Sequence, residues 1–165
     1  MITFSTLKTP DSLQIVRDIA ADIWPKTFKN ILSPEQISYM MQMMYAPEVM
    51  EKELADGYKF EIISIDDIPA GYMVTSVCDA PGTVKLHKLY LLDKFHAQGI
   101  GSQMLSHVTE EYRKLGFTRL ILNVNKYNKR AIKAYIRNNF TTIKSVKIDI
   151  GNGFFMDDFV MEKKF

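Results

Sequence analysis

The residues with the clearest chemical capacity are His96-Ala97-Gln98-Gly99-Ile100-Gly101-Ser102, a short turn with glycines at alternate positions. It lies between an apolar strand-like run and an apolar helix-like run. A glycine-bearing turn that opens a helix is suited to holding phosphate. Gly99 and Gly101 allow close approach and unusual dihedrals. The N–H groups of the first helical turn have no partner within the helix, and the positive end of its dipole faces the same way.

The surrounding elements must place this turn. Thr9, Pro10 and Asp11 predict a helix start, and Leu13, Val16, Ile19, Ala20 and Ile23 recur at helical spacing. Pro25 predicts its end. Ser33-Pro34-Glu35-Gln36 predicts a second capped start, with Ile37, Met40, Met41 and Met44 as the apolar face. A short third helix is expected from Pro47 through Leu54. The period then changes. Tyr58–Ile65 and Ala70–Cys78 read as strands around an Asp66–Pro69 turn, and Thr83–Leu92 completes an antiparallel meander. After the glycine turn a helix is expected from about Gly101 to Leu115 and a strand from Phe117 to Val124. Asn128 then caps a helix carrying Ala131, Ile132 and Tyr135. Thr141–Ile150 and Phe155–Lys163 read as a closing hairpin. The expected class is α/β (α+β): a mixed, mostly antiparallel sheet with N-terminal helices, a central strand–helix–strand–helix unit and a C-terminal hairpin. A helical crossover of this kind puts ligands at the carboxyl ends of strands, beside the helix N-terminus.

Composition narrows the functional classes. The 165 residues are 47% hydrophobic and 24% charged, which fits one globular domain spanning 1–165. A net charge of +2 with no basic block gives no argument for nucleic acid. No apolar run approaches membrane-spanning length, and the first residues lack a signal-peptide layout. One cysteine, Cys78, excludes an internal disulfide and fits a reducing cytoplasm.

With these residues in order, the chain resembles the GCN5-related N-acetyltransferases (GNAT). The resemblance rests on Leu86-His87-Lys88-Leu89-Tyr90-Leu91, then His96-Ala97-Gln98-Gly99-Ile100-Gly101, then Asn123-Val124-Asn125 with Asn128, Ala131, Tyr135 and Phe140. The clear match covers residues 83–140. Thr27-Phe28-Lys29 and Ser33-Pro34-Glu35 are loosely similar to bacterial polyamine-acetylating members. His96 stands where the family has Arg or Gln, and its ring N–H is expected to face phosphate. Asn139 replaces a common glycine and tolerates the left-handed conformation.

The resemblance implies a GNAT fold and acetyl-CoA as donor, with no metal. It places diphosphate on the amides from Ala97 to Ser102, pantetheine along Leu89, Tyr90 and Leu91, and further cofactor contacts at Asn123, Asn128 and Lys129. Lys126 and Arg130 lie near the same helix start. Acetyl transfer needs an aligned amine, loss of its proton and a proton for the leaving thiolate. Tyr135 stands at the family's general-acid position. The base stays open: the strand before the turn has no carboxylate, so His87, water or a backbone carbonyl would serve. Trp24, Phe28 and Tyr39 are candidate acceptor walls, and Asp157 and Asp158 are candidate holders of an ammonium group. The implied acceptor is a primary amine of a small molecule, polyamine- or amino-acid-like, or of a peptide end. A CoA-binding module without turnover is the alternative, and a larger acyl group such as succinyl stays open. Open sheet edges make a homodimer an expectation.

Overall fold

A computed structural model describes residues 1–165. The elements are β1 (Ile2–Leu7), α1 (Gln14–Thr27), α2 (Pro34–Tyr45), α3 (Pro47–Ala55), β2 (Lys59–Ile65), β3 (Ile68–Val77), β4 (Thr83–Leu91), α4 (Ile100–Lys114), β5 (Arg119–Asn125), α5 (Lys129–Arg137), β6 (Thr141–Gly151) and β7 (Phe154–Lys164). Single-turn 3-10 segments cover Pro10–Leu13 and Asp93–Phe95. The strands follow the order β1-β2-β3-β4-β5-β7-β6. The β4–β5 pair is parallel, whereas β1–β2, β2–β3, β5–β7 and β6–β7 are antiparallel. No helix is long and apolar enough to cross a membrane. Two compact units divide the chain, Met1–Ser76 with Lys88–Gln98, and Val77–His87 with Gly99–Phe165.

In the first unit, β1 is an element the sequence pattern misses. Its partner β2 is remote in the chain, with Phe4 opposite Ile63 and Ile2 opposite Ile65. The Thr9-Pro10 start makes a 3-10 turn before α1, closed by Ser12 Oγ donating to Thr9 O at 2.6 Å. Val16, Ile19, Ala20 and Ile23 form its buried face, as their spacing predicts. Pro25 does not end α1, which runs on to Thr27. A proline removes only its own N–H, and Phe28 N–H still donates to Trp24 O at 3.0 Å. Ser33 caps α2 by accepting from Gln36 N at 3.1 Å. The β2–β3 turn is tighter than expected. Asp66 and Asp67 both have positive φ, 49° and 66°, which permits a two-residue hairpin, and Pro69 sits beside the register shift at Ile63/Ser64. Gly71 matters because a Cβ there would lie 2.3 Å from the Tyr90 carbonyl oxygen. Only a bare backbone lets β3 pass the end of β4 so closely.

The interior of this unit holds a polar network within aromatic packing. Trp24 Nε1 donates to the Tyr45 hydroxyl at 3.1 Å, and the Tyr45 and Tyr72 hydroxyls are 2.6 Å apart. The buried Lys88 ammonium lies 4.4 Å from the Tyr45 ring centre, donates to Met44 O at 3.2 Å and sits 3.7 Å from Glu53 Oε1. Burial lowers the Lys88 pKa, and the Glu53 carboxylate partly opposes it. Burial raises the Glu53 pKa, and its Oε1 has no hydrogen-bond partner.

In the second unit, Leu120, Leu122 and Val124 alternate inward on β5. Helix α4 buries Ile100, Met104, Leu105, Val108 and Tyr112, the stripe expected from the sequence. The closing hairpin forms as expected, with β7 paired to β5 and β6 at the sheet edge.

Breaking a buried ion pair strands the surviving charge. Lys88→Met is therefore expected to destabilise the protein by about 3 kcal/mol, the lower end of that range because Glu53 keeps some exposure. Lys88→Met with Glu53→Gln should recover most of the loss in chemical denaturation. A double variant as unstable as the single one would show that the Glu53 charge is not the source.

Candidate active site

The turn is held at its start by His96. Its backbone N–H donates to Asp93 O at 3.0 Å. Its ring Nε2 lies 2.8 Å from Leu91 O. A carbonyl oxygen only accepts, so Nε2 carries the proton. The other ring nitrogen, Nδ1, is buried without a hydrogen bond, 3.7 Å from Asp93 Oδ1. This corrects the expectation that the His96 ring N–H faces phosphate: that proton is already bound. It also occupies one of the two acceptor positions of the Leu91 carbonyl.

Beyond His96 the amides are open. Ala97 has φ 61° and Gly99 has φ 75°, so two residues of the turn are left-handed. No protein acceptor receives the backbone N–H of any residue from Ala97 to Ser102, and the first bond of α4 is Gln103 N to Gly99 O at 3.1 Å. No side chain caps this helix. A Cβ at Gly99 or Gly101 would meet nothing within 4 Å. Gln98 Nε2 donates to Lys94 O at 3.1 Å, and Ser102 Oγ accepts from Asn138 Nδ2 at 3.1 Å.

On β4, Leu89 and Tyr90 are half-buried and Leu91 is buried. The Tyr90 ring lies 5.8 Å from Trp24 and 5.5 Å from Tyr72. Lys88, one residue before Leu89, receives the Glu53 carboxylate described above. The strand without an acid of its own is thus supplied with one from α3. His87 is half-buried, next to the last β4–β5 pair, Leu86 with Leu122.

In the second unit, Asn123 and Asp158 come together. Register puts Asn125 opposite Asp158 and Asn123 opposite Val160, so all four share one sheet face. Asp158 is 3% exposed. Burial pushes its carboxyl pKa up and Asp157 adds to this, while the Asn123 hydrogen bond, Lys85 and Lys126 oppose it. Asp157 is paired with Lys126 Nζ at 2.7 Å, so neither is a free charge for ligand. Asn128 caps α5 by accepting from Ala131 N at 3.4 Å. Lys129 and Arg130 are exposed at that helix start. Tyr135 is half-buried against Phe140, ring centres 5.5 Å apart. Burial pushes its hydroxyl up to about 12, so it stays protonated at neutral pH. Asn139 adopts φ 70°, as its residue type allows.

The expected aromatic walls divide. Trp24 is 1% and Phe28 5% exposed, their ring centres 4.5 Å apart inside the first unit, so they support a surface instead of forming one. Tyr39 is half-buried on α2. Sequence reasoning missed the His96–Leu91 bond, the Glu53–Lys88 pair and the Tyr45–Tyr72 link. Each joins residues that carry no shared spacing signal.

The family model for acetyltransferase (GNAT) matches residues 14–140. The chain belongs to that family. Its activity class is therefore acyl transfer. Among curated GNAT relatives, spermidine N(1)-acetyltransferase of Thermoplasma acidophilum is 23% identical over 160 residues, covering 94% of this chain and 92% of the relative. The PaiA N-acetyltransferase of the same organism, solved in complex with coenzyme A, superposes with a TM-score of 0.83 at 22% identity, covering 100% of this chain and 99% of that one. A ribosomal-protein-alanine N-acetyltransferase from Brucella melitensis gives a TM-score of 0.69 at 18% identity, covering 100% and 99%.

Folding strengthens proton binding at Asp158, because its folded pKa lies above the unfolded value. Stability from this group is greatest in acid and declines as pH rises through the folded pKa. Asparagine does not titrate. The stability of the native protein relative to Asp158→Asn should therefore fall as pH rises above the ordinary carboxylate range in denaturant titrations. A difference that stays flat with pH would mean the carboxylate is not desolvated.

Proposed function

We propose that this GNAT is an N-acetyltransferase moving an acetyl group from acetyl-CoA to a primary amine. The acceptor is a polyamine- or amino-acid-like small molecule, or a peptide N-terminus. The observation that carries the reading is the run of amides from Ala97 to Ser102 without protein acceptors at an uncapped helix start. Amides without protein acceptors are met by water or by an anion. A diphosphate supplies the acceptors and matches the helix dipole. The whole-length similarity to a spermidine N(1)-acetyltransferase supports the amine class.

The residues present fit acetyl-CoA as the second substrate. Ala97–Ser102 would hold its diphosphate, and the Leu89 backbone would pair with the pantetheine amides as a further strand does. Asn128 and Lys129 lie where α5 begins. The neutral amine attacks the thioester carbonyl, a C–N bond forms and the C–S bond breaks. Tyr135 donates its hydroxyl proton to the departing sulfur. The amine proton leaves to His87 or to water. The buried Asp158 carboxylate, fixed by Asn123, would attract an ammonium group.

The reading extends to the assembly. One domain built from both units, in the cytoplasm, fits the free Cys78 and the absence of a membrane-length helix. The edge strand β6 leaves Ile143 and Ile148 exposed, which supports pairing with a second copy.

An amine panel with acetyl-CoA and detection of released thiol tests the reading. Release with at least one amine is expected; CoA binding with release from none would favour a binding module instead. Gly101→Glu places bulk and charge in open space, so the melting temperature should hold while calorimetric CoA affinity falls by at least about tenfold. Unchanged affinity would remove the amides from the site. Tyr135→Phe should lower kcat by about 10²-fold with CoA affinity kept; an unaltered kcat would assign the proton to another donor.

A further inference from the structure

We infer that His96 is a positioning residue that ties the end of β4 to the start of the glycine turn and gives no hydrogen bond to phosphate. The inference rests on the acetyl-CoA reading above, but its geometry is independent of it. His96 has two donors when neutral, and both are in use. The backbone N–H goes to Asp93 O at 3.0 Å, and Nε2–H goes to Leu91 O at 2.8 Å. The remaining nitrogen, Nδ1, is buried, unbonded, and 3.7 Å from the Asp93 carboxylate. For the ring to reach phosphate, the Leu91 bond must break or Nδ1 must gain a proton and turn away from a carboxylate. Either change gives up a contact present in the structure, whereas the amides that follow have no protein acceptor to lose.

The bond has a consequence at each end. At the strand end, Leu91 O is fixed, and Leu92 N–H is held by Ala70 O at 2.8 Å, so the exit of β4 is pinned from both sides. At the turn, the imidazole precedes Ala97, whose φ of 61° is a strained conformation for a residue with a Cβ. A rigid anchor immediately upstream holds that conformation in place. The strand edge that would guide the pantetheine arm and the first amides that would receive diphosphate thus share one brace. The side chain acts on reaction geometry, through Leu91 and Ala97.

Kinetics with acetyl-CoA separate the two roles. A phosphate contact made equally in ground and transition states raises KM and leaves kcat unchanged when lost. A brace misplaces the thioester when lost, so His96→Ala should lower kcat by about tenfold or more. Glutamine has an amide N–H that can replace Nε2–H at Leu91 O, and His96→Gln should recover kcat to within about threefold. A change confined to KM, an unchanged kcat, or no recovery with glutamine would overturn the assignment. Nitrogen-15 NMR of the native protein gives a second measure, valid even if His96→Ala does not fold. The His96 ring should be the Nε2–H tautomer in the free protein and remain so when CoA is added. An Nδ1–H tautomer, or a change of tautomer with CoA, would refute the brace. If native protein releases thiol with no amine, the acetyl-transfer reading fails while the free-protein tautomer still decides the brace.

Discussion

An α-helix leaves its first N–H groups without acceptors, and in α4 nothing else in the chain supplies them. Most helices resolve this with a Ser, Thr, Asp or Asn cap, as Ser33 does for α2 and Asn128 for α5. Gly99 has no side chain to offer and sits at φ 75°. The same residue that turns the chain into the helix therefore leaves the amides exposed. The stripe from Ile100 to Tyr112 seats α4, and the bond from Asn138 to Ser102 Oγ ties its first turn to the end of α5.

Beside their surface ion pairs, both units also bury ionisable groups. The first unit takes a lysine and a glutamate into an aromatic interior, where each is pushed toward its neutral form. Such a pair adds little net stability over apolar residues of the same size. Its effect is orientation: Lys88 fixes the face that β4 presents one residue before Leu89. The second unit does the same with Asp158 and Asn123 on adjacent strands. In both places one partner lies on a strand that the GNAT reading sets beside the reacting groups.

The parts legible in the sequence are those that local chain geometry decides. The glycine turn, the caps at Ser33 and Asn128, the stripe of α4 and the closing hairpin all depend on residues within a few positions of one another. What was not legible depends on partners far along the chain. β1 exists only because β2 pairs with it. Trp24 reads as an amphipathic residue at a helix end, yet its fate is set by Tyr45 and Tyr90. His96 is an instructive case, because the motif places it correctly while its side-chain role is decided by a carbonyl five residues upstream. Position came from the pattern; direction came from the fold.

The acid step has a constraint of its own. Burial raises the Tyr135 hydroxyl to about 12, above the ordinary thiol value of about 8.5, so the phenol is the weaker acid of the two. In the proposed reaction Tyr135 would therefore hydrogen-bond the departing sulfur before passing on its proton. The gap narrows when the sulfur enters the same environment, because desolvation raises a thiol as it raises a phenol. A thiolate formed there in the proposed reaction would be stabilised first by the Tyr135 O–H bond and protonated as its own basicity climbs. In that reaction, the burial that raises the Tyr135 hydroxyl in the free protein would also match it to a desolvated leaving group.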